Sequence, residues 1–174
     1  MAEQRTEFDA PWGGALRLMS AFVTLLLLGV IALGLRGAGE VGWIWDLAMV
    51  ATPLIILVVA AFHAIRGYEL TRDRLRVRRL GSSVDIDLNG LEAVAADNGA
   101  MVGSRRVFAN GGLFSFSGLF RSKTLGVYRA LATDPSRGVI LRWPRSTLVI
   151  TPDDPEGFVR AVCALRGLEV QRPE

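Results

Sequence analysis

The run LMSAFVTLLLLGVIALGL, from Leu18 to Leu35, contains no charged residue. A second run, WIWDLAMVATPLIILVVAAFHAI from Trp43 to Ile65, holds only Asp46 and His63 as ionisable groups. At 1.5 Å of rise per helical residue, about 20 apolar residues cross a hydrocarbon core of roughly 30 Å. Both runs meet that length, and soluble cores seldom hold two such stretches side by side. The expectation is a transmembrane α-hairpin over 16–66, with helices over about 16–35 and 43–65, preceded by a flank at 1–15. A cleaved signal peptide fits less well. The flank carries Glu3, Glu7 and Asp9 against Arg5, and the apolar run exceeds an h-region of about 7–15 residues.

Hydrophobic residues make up 51% of the 174-residue chain, and the apolar excess is concentrated before Arg66. The remainder of the chain has ordinary globular composition and room for one modest domain. The net charge of +3 is too small to argue for nucleic acid, but its distribution is informative. Arg66, Arg72, Arg74, Arg76, Arg78 and Arg79 stand against Glu69 and Asp73 just past the second run, whereas the link at 36–42 contributes only Arg36. Positive-inside bias therefore predicts a two-pass protein of the cell (inner) membrane with both termini cytoplasmic. Trp43 and Trp45 would mark the outer interface, and Trp12 and Tyr68 the inner one. The single cysteine, Cys163, excludes an intramolecular disulfide.

From Gly67 the period changes to two. Tyr68 and Leu70, Leu75 and Val77, and Val84, Ile86 and Leu88 each alternate with polar neighbours, as half-buried strands do. Asn89-Gly90, Asn98-Gly99 and Asn110-Gly111 read as tight turns. Further strands are expected at 127–133, 139–143 and 146–151. A closing helix comes last, with Asp154 as N-cap, Pro155 in the first helical position, an apolar stripe of Phe158, Val159, Val162 and Leu165, and Gly167 at its end. Seven or eight antiparallel strands plus one amphipathic helix predict a small barrel or bent sandwich over 67–167, with a tail at 168–174.

The segments Arg105-Arg106-Val107-Phe108-Ala109-Asn110-Gly111-Gly112-Leu113-Phe114, Gly118-Leu119-Phe120 and Leu125-Gly126-Val127-Tyr128-Arg129-Ala130 resemble the bacterial pleckstrin-homology (PH) domain family. So does Leu148 to Phe158, where a last strand runs into a helix. The resemblance covers roughly Tyr68 to Leu165. It implies a seven-stranded bent antiparallel β-barrel capped by a C-terminal helix, in a family whose members often carry membrane helices beside the domain. With the transmembrane hairpin read from the apolar runs, the expected fold is an α+β membrane protein with a PH-like barrel. The resemblance implies no catalytic activity and no general ligand. Eukaryotic relatives hold inositol phosphates with basic residues on the first strand pair, but this chain lacks lysines there, and phosphoinositide recognition is not carried over.

Two candidate contact regions stand out. Arg74, Arg76 and Arg78 share one strand face, with Arg72 and Arg79 near it. That face would rest on anionic headgroups, each arginine contributing on the order of 1 kcal/mol, or would simply be solvated. The stretch 111–126 holds Phe114, Phe116 and Phe120, then Arg121 and Lys123, and would be either an exposed loop that seats lipid or a partner or core phenylalanines between glycine turns. Other motifs carry less. Gly37, Gly39 and Gly42 match the dinucleotide pattern only in letters, because they link two apolar helices. His63 lacks a companion ligand for a metal. Asp85 and Asp87 share a strand face without a group to pair with for acid–base work, and Asp46 sits one turn into its helix, where an interfacial position in reach of water is expected. No enzyme, cofactor, metal or small-molecule substrate is implied.

The expected function is therefore a non-enzymatic, membrane-anchored interaction module that meets membrane lipids, a protein partner or a second copy of itself. The alternative is an accessory subunit of a transport or other integral-membrane complex, acting through helices rich in small residues such as Gly29, Ala32 and Gly34.

Overall fold

The computed structural model describes residues 5–37, 39, 42–111 and 113–168. Helix α1 (Gly14–Arg36) is matched by a second long helix over Trp43–Phe62. The latter comprises α2 (Trp43–Asp46), a π-helical turn (Leu47–Ala51) and α3 (Thr52–Phe62). Both are long and apolar enough to cross a membrane, and most of each surface is exposed. They pack side by side through Gly34, where an added Cβ would lie 2.7 Å from the Met49 side chain. The Trp45 indole N–H donates to the Gly34 carbonyl at 3.1 Å in the same contact. The π turn precedes Pro53, which has no N–H to continue the α ladder. There the Thr52 hydroxyl donates to the Leu47 carbonyl at 2.8 Å.

The second helix stops at Phe62 rather than running to Ile65, which is fully buried at the start of a strand. The first sheet is antiparallel, in the order β1 (Thr6–Asp9), β2 (Ile65–Leu70), β3 (Arg74–Arg79), β4 (Ser83–Asp87). Its first strand comes from the N-terminal flank, where the sequence pattern predicts no element. Glu7 lies opposite Glu69, and Asp9 opposite Gly67. The close approach requires glycine at 67, because a Cβ there would sit 2.8 Å from the Phe8 carbonyl oxygen.

The second sheet comprises β5 (Ala93–Ala96), β6 (Arg105–Gly111), β7 (Phe116–Ser122), β8 (Gly126–Ala132), β9 (Val139–Trp143) and β10 (Ser146–Ile150), in the order β5-β9-β10-β8-β7-β6. The pair β8–β10 is parallel, and the described strands number ten rather than seven or eight. The two sheets do not close into a barrel, which corrects the sequence expectation: β4 pairs only with β3, and β6 only with β7. Asn89-Gly90 and Asn98-Gly99 lie in turns, but Asn110-Gly111 ends β6 opposite Ser117 and Phe116. The hairpin reverses after that pair.

Helix α4 (Pro155–Arg166) forms as its sequence dictates. Asp154 accepts a bond from the Gly157 N–H at 2.8 Å, and Gly167 ends the helix in the left-handed conformation, φ 66°. Its buried face (Phe158, Val159, Val162, Cys163) joins the core between the sheets, which includes Tyr68, Leu75, Val77, Leu131, Leu141 and Ile150. Phe8 from β1 meets Phe158 edge-on, with ring centroids 5.1 Å apart.

Candidate functional site

Alternation on β3 sends Leu75 and Val77 inward and Arg74, Arg76 and Arg78 outward. The register then decides what surrounds those arginines. Arg74 faces Asp87 and Arg76 faces Asp85 on β4, while Arg76 faces Glu69 on β2. Arg76 grips Asp85 with two bonds, at 2.7 and 3.1 Å, and Arg78 reaches Glu7 on β1 at 3.0 Å. Arg5 pairs with Glu69 at 3.4 Å. The bond from Arg76 holds the Asp85 carboxyl below its ordinary range. Outward arginines are thus interleaved with Glu7, Asp9, Glu69, Asp85 and Asp87, and the face is not a basic surface. Its direction matters as well. Arg79 lies opposite Ile65, at the end of the hairpin, and Arg74 lies five residues up the strand. The row therefore runs away from the helix ends by about 3.3 Å per residue. Arg72 is exposed in the turn between β2 and β3.

The stretch 111–126 is strand β7 with a turn at each end, not one loop. Phe120 is buried in a second apolar cluster with Tyr128, Ala130, Ile140 and Val149, so it cannot serve as a loop contact. Phe116 packs against that cluster. Phe114 adopts a positive φ of 62°, rests on Trp12 (centroids 5.8 Å apart) and donates its N–H to the Ser20 hydroxyl of α1 at 3.0 Å. Arg121 and Lys123 are exposed at the opposite end of β7. The structure therefore separates Phe114 from Lys123. The hairpin tip is a brace between the sheet domain and α1, where Leu16 and Ser20 are buried.

A concavity lies where the sheets fail to close. A cleft of about 520 Å³ separates β4 from the second sheet, with Ile86, Asp87, Arg129, Trp143, Arg145 and Leu148 among its lining. It forms because β8 pairs with β10 only from Arg129 to Leu131, leaving the beginnings of the two strands splayed. Arg79 is half-buried at the end of β3, outside the residues that line the cleft. Burial first, and then the like charge of Arg129, pull its guanidinium below the ordinary value, and its Nε is buried without a hydrogen-bond partner among the described residues. Sequence reasoning missed Arg129, Arg145 and Trp143, since each is a single residue in its own strand or turn and only the register brings them together.

The remaining candidates are structural. Cys163 is buried on α4, and burial pushes its thiol up, away from the reactive thiolate. His63 Nδ1 lies 2.8 Å from the Val59 carbonyl of its own helix. Asp46 is half-buried near the start of its helix, and its Oδ1 is buried with no hydrogen-bond partner among the described residues. Among the described residues no group of three or more His, Cys, Asp and Glu side chains could hold a metal ion.

Residues 66–165, from the first strand after the helices through α4, match the family model described as "Bacterial PH domain". The chain belongs to that family. Searches of curated proteins and of solved structures returned no match. The PH domain match starts in β2 and leaves β1 outside, so the strand contributed by the N-terminal flank is an addition to the family's matched region. Domains of this family are binding modules in general rather than catalysts, which fits a site consisting of a cleft and paired surface charges.

Proposed function

We propose that this chain is a two-pass membrane protein whose PH domain is a non-enzymatic module for binding a protein partner on the cytoplasmic side. The observation that carries the reading is the pairing of β1 with β2. One strand immediately precedes the first long helix and the other immediately follows the second, so a single sheet is closed across the base of the hairpin. If the helices cross a bilayer, both must enter from the side where the domain lies. Further ties support a fixed seat: the Gly13 N–H donates to the Thr133 carbonyl at 3.2 Å, the Thr133 hydroxyl donates to the Pro11 carbonyl at 2.9 Å, and Phe114 bonds Ser20.

A protein partner is favoured over headgroups because the arginine row is interleaved with carboxylates, which leaves little net attraction for an anionic leaflet. Alkaline carbonate treatment of vesicles is expected to leave the full chain in the pellet. Release into the supernatant would overturn the anchoring. Cross-linking in native membranes from Arg145→Cys is expected to give a discrete heteromeric adduct that the same residue placed at Ser136 does not give.

One observation favours the accessory-subunit reading alongside this one. A buried Asp46 oxygen with no partner among the described residues, near the start of an apolar helix, is the kind of group that a neighbouring membrane helix satisfies. Asp46→Asn reducing co-purification of other membrane subunits would support it.

A further inference from the structure

Two rows of the second sheet face the same way as the cleft. Leu119 lies opposite both Phe108 on β6 and Arg129 on β8, and Arg121 lies opposite both Arg105 and Val127. Phe108 is 83% exposed, Val127 47% and Leu119 42%. Large apolar groups left open in a small patch, rimmed by charge, mark an interaction surface. Here the rim is mainly basic: Arg105, Arg121, Arg129 and Arg145 border the cleft and its extension, against Asp87 as the one carboxylate among the residues lining the cleft.

The wall opposite this patch is a bare strand edge. Leu88 N–H bonds the Asp73 carbonyl and Arg79 N–H bonds the Ser82 carbonyl, both at 2.9 Å. Bonded pairs alternate in an antiparallel ladder, so Val84 and Ile86 bond to β3, and the main-chain groups of Ser83, Asp85 and Asp87 point outward. An edge of this kind accepts an added strand, with side-chain pockets reading alternate residues. We propose that the gap between β4 and β8 is a docking groove for an extended acidic segment of the partner protein, added as a strand on β4 with its carboxylates among Arg129, Arg145 and Arg121. The proposal rests on the protein-binding reading above and names its site and ligand class. Side chains of one parity on an added strand face the second sheet. In a peptide alternating acidic and apolar residues, the carboxylates of that parity therefore meet the arginines, with their stems against Ile86, Leu148 and Trp143, and the apolar residues face outward.

The probe is a fluorescent octapeptide of alternating glutamate and valine, titrated against the full chain in nanodiscs of zwitterionic lipid. Binding is expected, weakening as salt rises, and the arginine–valine counterpart is expected not to bind. Arg129→Glu, at an exposed site, is expected to weaken binding by about tenfold or more, as repulsion replaces an ion pair. Asp85→Pro removes one outward N–H without touching the β3 ladder, which edge strands tolerate, and is expected to do the same. Asp85→Asn keeps that N–H and is expected to bind as the wild type does.

Absence of binding, equal binding by all variants, or equal binding of the arginine peptide overturns the proposal. So does displacement of the peptide by anionic lipid with Asp85→Pro without effect, because the groove would then be a headgroup site. Carbonate extraction of the same chain separates the two levels. A chain that stays in the pellet yet ignores the peptide sinks the groove alone, and a chain that is released sinks the anchoring.

Discussion

Tyr68 is fully buried where the two sheets meet, and its hydroxyl donates to the Leu131 carbonyl at 2.7 Å and accepts from the Thr151 N–H at 3.2 Å. Both main-chain partners are buried, so Tyr68→Phe leaves a donor and an acceptor unsatisfied. The expected cost is about 1–3 kcal/mol, read from denaturant unfolding of the detergent-solubilised chain. Burial also raises the phenol from 10.0 to about 12, more than its hydrogen bonds with Thr151 lower it. A group bound more tightly to its proton in the folded state stabilises the fold below pH 10, and that contribution is lost as pH rises toward 12. The loss is on the order of 3 kcal/mol over two units. Phenolate absorbance is expected to appear with unfolding rather than before it. An ordinary titration near pH 10 in the folded chain would contradict the assignment. Arg76 offers the opposite case: its pair with Asp85 is exposed and screened, so Arg76→Ala is expected to leave the unfolding midpoint nearly unchanged.

Elements divide by how local their causes are. The closing helix was legible residue by residue, because its cap, proline, stripe and terminal glycine all lie within its own span. The alternating strands from Tyr68 to Asp87 were legible for the same reason. β1 was not: Thr6-Glu7-Phe8-Asp9 is four residues of weak alternation, and it is a strand only because β2, some sixty residues later, offers it an edge. Barrel closure failed similarly, since no local pattern tells whether two sheets meet at both seams. The site obeyed the same rule. The arginine row was legible as a row but not its carboxylate neighbours, which come from β1, β2 and β4. Two predictions belong at this scale. Phe8→Ala removes the ring that meets Phe158, and the expected loss is about 2–4 kcal/mol, with faster amide exchange in β2 than in β9. Gly34→Val places a side chain against Met49 and Val50. It is expected to part the helices and shift Trp45 emission while leaving the PH domain's melting unaltered. An unshifted spectrum would mean that the contact does not hold the hairpin.

At the scale of the whole molecule, the sheet domain and the hairpin are joined at three places rather than one. The chain enters α1 from β1, leaves the second helix into β2, and touches α1 again through Phe114 at the β6–β7 tip. A domain tied in this way cannot swing freely on the helices, so in the proposed membrane arrangement its cleft is presented at a fixed height and angle, and a partner held in the same bilayer would meet it at high effective concentration. The arrangement constrains topology before any charge rule is invoked, because adjacent strands of one sheet cannot lie on opposite sides of a bilayer. Single-cysteine labelling in intact cells and in inverted vesicles tests this directly, in a Cys163→Ser background. Thr6→Cys in β1 and Ser136→Cys in the β8–β9 turn are expected to react with a membrane-impermeant maleimide only in inverted vesicles, and Arg36→Cys at the far end of α1 only in intact cells. Opposite-sided labelling of Thr6→Cys and Ser136→Cys would break the β1–β2 pairing in the membrane-bound protein. Same-sided labelling of all three would leave that pairing intact and remove the spanning helices, so the two halves of the architecture stand or fall separately.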